Sequence, residues 1–175
     1  KMAIKAGLPL ISIRTDDVVN VGAIIGAVAQ RVAEYWTPTL TTKLKAGTLY
    51  YTFHQEDLDY RRQYSRFAMF KSVLVIINSP SHNEATFNAG FLTTPPIMIK
   101  SIVHKYASEE HKEALIPALS GLSYKEVIEI SKLAMAKHGV YCAEAVKDIR
   151  RRFFGDIRGL HMVNTEYLFY SPSEN

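Results

Sequence analysis

Cysteine is nearly absent from this chain of 175 residues; Cys142 is the only one. Without a second thiol there is no disulfide framework, no CxxC pair and no thiol-based zinc cluster, which fits a reducing, cytoplasmic setting. Long hydrophobic runs are missing as well. The longest, over residues 18–29, is interrupted by Asn20 and falls far short of the ~20 apolar residues a membrane helix needs. No basic, apolar and small-residue leader pattern opens the chain, and Lys1 ahead of Met2 would suit either a tag remnant or an excised piece. No repeat or low-complexity tract is present. A strong charge of one sign is also lacking: 21 Lys and Arg against 17 Asp and Glu leave +4. That is short of the basic stripe of a dedicated nucleic-acid binder, yet it leaves anionic partners open. What remains, 47% hydrophobic and 22% charged residues, is the makeup of a globular domain with a real core.

The motifs that announce common chemistries are missing too. Nothing matches G-x-x-x-x-G-K-[ST], in which glycine amides wrap phosphates while the lysine neutralises them and the hydroxyl holds magnesium. No GxSxG elbow offers a nucleophile. His54, His82, His104, His111, His138 and His161 form no HxxxH or HExxH pair, so surface and capping roles explain them more simply than metal binding. Cys142 has no activating neighbour in sequence and reads as a buried, inert thiol. Ser81 and His82 share a polar loop over 79–84 that could build a small active site. Adjacency alone does not make triad geometry, and a polar connector explains them as well.

The positive signal is α/β patterning. Residues 8–13 read as a strand that runs through Arg14-Thr15-Asp16-Asp17 into a helix expected over about 17–34, with Val18, Val21, Ile25, Val28 and Val32 on one stripe. Where a first strand feeds a first helix, free amides and the helix dipole make a natural phosphate site. Here Thr15 or Asp16 can cap the helix, and Asp16 and Asp17 both repel an incoming phosphate. Ordinary helix-start residues explain the pair too, and either reading argues against nucleotide at this spot. Gly22 and Gly26, one turn apart, suit close approach to a sheet better than pairing in a membrane. Residues 35–42 and 48–53 are rich in β-branched and aromatic side chains and read as two strands, with a turn over 45–47. A polar helix is expected over 55–70, bearing Arg61, Arg62 and Arg66. Residues 72–78 then form a continuous apolar run, the mark of a strand buried on both faces. That strand ends in Asn78 and Ser79, where ATP hydrolysis would require a metal-organising carboxylate and a water-activating glutamate.

From Pro96 onward the chain reads as helical. One helix spans about 96–106, a second is capped by Ser108 and reaches toward Leu119 with Pro117 bending or ending it, and a third opens with the capping box Ser123-Tyr124-Lys125-Glu126 and closes near His138-Gly139. A last helix is expected from Cys142 to Phe153.

Three segments carry a resemblance: Gly7-Leu8-Pro9-Leu10-Ile11-Ser12-Ile13 with Thr15-Asp16-Asp17-Val18-Val19, then Leu92-Thr93-Thr94-Pro95-Pro96, then residues 115–127. Together they resemble the N-terminal half of a family of AAA+ ATPases found in plastid, bacterial and phage genomes, in which a decayed ATPase module precedes a competent one. Residues 145–153 are similar to the last lid helix of the decayed module. Gly159-Leu160 and Val163-Asn164-Thr165 resemble the lead-in to the active one. The resemblance implies an α/β fold: a parallel, P-loop-like sheet with flanking helices over 1–95, a helical AAA+-like lid subdomain over 96–154, and a tail or linker over 155–175. It implies no catalytic residue in this segment and a degenerate nucleotide site near Thr15, Asp16, Asp17 and Asn78. ATP and magnesium would belong to the following module. The expected partners are that module, a docking protein or a second copy of the chain, with no membrane involved.

Arg150, Arg151, Arg152 and Arg158 form the densest basic cluster. With Tyr60, Arg61, Arg62 and Tyr64 they are the candidates for contact with a protein or nucleic acid, against the plain reading of a solvated face. The aromatic residues 167–170 would dock on a following domain or fray.

Overall fold

The computed structural model describes residues 1–38, 43–80 and 84–154. The chain forms two compact units, one of Lys1–Met98 with Gly121–Lys125, the other of Ile99–Ser120 with the chain from Glu126.

The first unit is α/β. Strands β1 (Leu10–Arg14), β2 (Ala33–Tyr35), β3 (Leu49–Phe53), β4 (Val73–Ile77) and β5 (Phe87–Phe91) form one all-parallel sheet in the order β2-β3-β4-β1-β5, consistent with a P-loop-like fold. Helices α1 (Met2–Lys5), α2 (Val21–Ala29) and α3 (Tyr60–Met69) cover it. Alternation along the strands divides the core in two. Val73, Val75 and Ile77 join Ile11 and Ile13 beneath Val21 and Ile25 of α2. Leu74 and Ile76 join Leu10, Trp36 and Phe67 on the α3 side. No β4 side chain is more than 2% exposed, so its unbroken apolar run serves both layers. Each such side chain contributes about 1.5–3 kcal/mol of burial.

Several boundaries differ from the sequence-based expectation. The helix expected over 17–34 is only α2. It starts after Asn20, because Asp17 to Asn20 close a side-chain turn of their own, and it ends at Gln30, whose φ of 58° is left-handed. Ala33 to Tyr35 then pair with β3, and Val18 and Val32, expected on the buried stripe, are 51% and 80% exposed. The strand expected over 35–42 reaches no further than Tyr35 within the described residues, and 39–42 lie outside them. Helix α3 begins at Tyr60 rather than at 55, because Asp59 caps it by accepting the Arg62 N–H at 3.1 Å. Strand β5 was not expected: it is an edge strand whose register slips between Ser12 and Arg14, with Gly90 at φ 84°. Gly22 does provide close approach. A Cβ there would stand 2.6 Å from the Tyr51 ring.

The second unit is helical. Apart from Pro96–Met98 and Tyr124–Lys125, which belong to the first unit, it consists of α4 (Pro96–Tyr106), a 3-10 turn over Glu109–His111, α5 (Lys112–Ala118), α6 (Tyr124–His138) and α7 (Ala143–Ile149), followed by a π turn over Arg150–Phe154. Ser108 makes no capping bond, since the chain enters a 3-10 turn there rather than an α-helix. The helix expected through Phe153 keeps α geometry only to Ile149. Pro117 sits in the last turn of α5, which ends one residue later. Among the described residues no helix is long and apolar enough to cross a membrane.

Candidate functional site

In an open parallel sheet the ligand crevice lies beyond the carboxyl ends of strands whose connections diverge. Here those strands are β1 and β4, neighbours paired at Ile13 and Ile77, whose outgoing connections lead to opposite edges, β2 and β5. The loop after β1 is therefore where a phosphate-binding turn would stand. Three of its amides are engaged within the protein. The Thr15 N–H donates to Asn78 Oδ1 at 2.9 Å, the Asp17 N–H to Thr15 Oγ1 at 3.0 Å, and the Asn20 N–H to Asp17 Oδ1 at 3.1 Å. Asp17 is buried, and the Asn20 side-chain amide also reaches both of its carboxylate oxygens. The loop thus wraps a carboxylate of its own. Neither Thr15 nor Asp16 caps α2 as expected: the cap position is Asn20, with no side-chain capping bond, and Asp16 is exposed.

Asn78 closes the site from the β4 side. Its backbone N–H donates to Ile13 O at 2.8 Å, and its side-chain amide pairs with both backbone groups of Thr15, accepting the N–H and donating to the carbonyl at 3.1 Å. An amide is the one side chain of this length that offers acceptor and donor together. Arg14 Nη1 reaches Ser79 O at 3.5 Å beside it.

One neighbouring pair escaped the sequence. His54 Nδ1 lies 2.6 Å from the Tyr60 hydroxyl, and the His54 backbone N–H donates to Ile77 O at 3.0 Å. Burial pushes the Tyr60 phenol above its ordinary value, the adjacent Ser79 side chain pulling the other way, so at neutral pH it keeps its proton. Nothing in the sequence signals this pairing, because a loop and a helix start separate the two residues. Ser81 and His82 lie outside the described residues.

The basic residues divide into two kinds. Arg150 donates to the Ala118 and Ser120 carbonyls at 2.9 and 3.1 Å, closing the C-terminal end of α5. Asp148 gathers Lys137 at 2.7 Å, His138 at 2.8 Å and Arg152 at 2.8 Å, with Arg151 at 3.5 Å. Hydrogen bonds from Lys137, His138 and Arg152 hold its carboxyl well below the usual carboxylate range. Arg61 and Arg62 lie exposed on α3, whereas Arg158 falls outside the described residues. Cys142 is buried and free, and among the described residues no group of three or more His, Cys, Asp or Glu could hold a metal ion.

No family model matches the chain, and no curated protein matches it.

Proposed function

We propose that this chain is a non-catalytic, AAA+-like α/β module with a helical lid, part of a larger ATPase in which it serves assembly, partner docking or regulation. The observation that carries the reading is the Asn78 clamp on Thr15. At the two strand ends where a triphosphate and its metal would be held, the Asn78 amide takes the Thr15 N–H, and the buried Asp17 carboxylate takes the Asn20 N–H. Two further features support it: a parallel sheet with β1 and β4 side by side, and four α-helices following it in sequence. An anion entering the loop would have to displace these bonds and face the Asp17 charge. ATP and magnesium belong, in this reading, to the following module.

Isothermal calorimetry of the chain with ATP and magnesium tests it. No saturable heat is expected. Saturable binding that is lost on Thr15→Pro, which removes the first loop N–H, would overturn the reading, as would turnover.

A further inference from the structure

Helix α3 places Arg61, Arg62 and Arg66 on its ten residues with no acidic side chain among them. Among the described residues none of the three guanidinium groups is held by a carboxylate, whereas Arg151 and Arg152 share Asp148 and Arg150 binds carbonyls. The inward stripe of α3 is Tyr60, Gln63 and Phe67, all buried. That fixes Arg61 and Arg62 on the outer half of the helix, with Arg66 half-buried on one flank and Tyr64, at 44% exposure, on the other. Tyr64 lies one turn from Arg61, within side-chain reach. Glu56, Asp57 and Asp59 all precede the helix, and Asp59 is held there as its cap, so the body of the helix stays cationic.

We propose that the outer face of α3 is a binding surface for single-stranded nucleic acid, in which Arg61, Arg62 and Arg66 grip phosphates and Tyr64 stacks on a base. Arginine forks match phosphate oxygens, and an exposed ring is the other half of a single-strand platform; a strand crossing the helix would meet Arg66 and Arg62 on one side and Arg61 and Tyr64 on the other. An acidic peptide would use the arginines and leave Tyr64 without a role. Among the described residues, phosphate contact is thus expected of α3 rather than of the longer arginine run at 150–152. The inference stands apart from the proposed loss of nucleotide chemistry, which concerns the loop after β1.

Fluorescence anisotropy of the full chain with a labelled oligothymidylate of about 15 nucleotides tests it across a salt series. Three phosphate contacts predict a slope of log K against log salt of about −2, a loss of roughly 20-fold between about 50 and 200 mM. Arg62→Gln with Arg66→Gln should flatten the slope by about 1.4. Tyr64→Ala should weaken binding roughly tenfold with the slope retained. Arg151→Gln with Arg152→Gln should change neither. Circular dichroism on each variant confirms folding. Absence of binding at about 50 mM salt would overturn the proposal. So would loss through the 151–152 pair alone, or displacement by polyglutamate as efficiently as by unlabelled oligonucleotide.

Discussion

Asn78 takes a left-handed backbone, φ 59°, at the end of β4, a conformation that costs most side chains about 1–2 kcal/mol and asparagine less. That backbone turns its amide onto Thr15. Asn78→Ala forfeits both bonds and the conformational tolerance, and should lower the unfolding free energy by about 1–2 kcal/mol in a urea titration. Asn78→Asp keeps an acceptor for the Thr15 N–H but sets its second oxygen against the Thr15 carbonyl. It should destabilise as well and create no magnesium affinity. If Asn78→Asp left the protein as stable as the parent, the clamp would contribute nothing. Asp148 is the other residue whose role is local and electrostatic. Its folded pKa is depressed by Lys137, His138 and Arg152. The stability it provides is therefore fully present above the ordinary carboxylate pKa and is lost as pH falls from there through the folded value. Asp148→Asn should destabilise at neutral pH, where it leaves Lys137, Arg151 and Arg152 crowded together, and should flatten the acid limb of the stability curve. Parallel acid limbs in the two proteins would refute this assignment.

At the level of elements, α2 and β3 show how tightly a helix can be seated. Gly22 puts backbone where a Cβ would stand 2.6 Å from the Tyr51 ring. Gly22→Val should cost about 1–3 kcal/mol by overpacking, despite the gain in intrinsic helix propensity. In a Tyr51→Ala background the penalty should shrink, and a double-mutant cycle with no coupling would rule the contact out. Strands and helices differ in what was legible in the sequence. Strand β4 was readable because burial on both faces leaves no polar position in it. The helices after Pro96 were readable because proline, serine and glycine punctuate them. The ends of α2 were not, because the turn from Asp17 to Asn20 and the left-handed Gln30 are backbone choices that hydrophobic period does not encode. Strand β5 was hidden by Asn88, Ala89 and Gly90, poor strand formers that pair only because β1 offers a free edge. Asp16 and Asp17 were equivalent in the sequence, and which carboxylate turned inward was a tertiary outcome. The His54–Tyr60 pair was out of reach for the same reason.

Across the whole molecule, each compact unit should have its own hierarchy of opening, set by how its elements are flanked. In the α/β unit β4 has β1 on one side and β3 on the other, and both of its faces are covered. Strands β2 and β5 are edges, one of three residues, the other with an irregular register and exposed residues at Phe87, Asn88 and Ala89. Amide exchange should therefore be slowest in β4, with β1 and β3 next, and markedly faster in β5. In the helical unit α6 carries Val127, Ile130 and Ala134 fully buried along fifteen residues, whereas α5 spans seven and lacks the Pro117 N–H. Protection should thus centre on α6 and fray first in α5. Native-state hydrogen exchange read by mass spectrometry separates these segments. Equal protection in β5 and β4 would mean that an edge held by one neighbour opens only with the whole sheet, against the flanking argument on which this ordering rests.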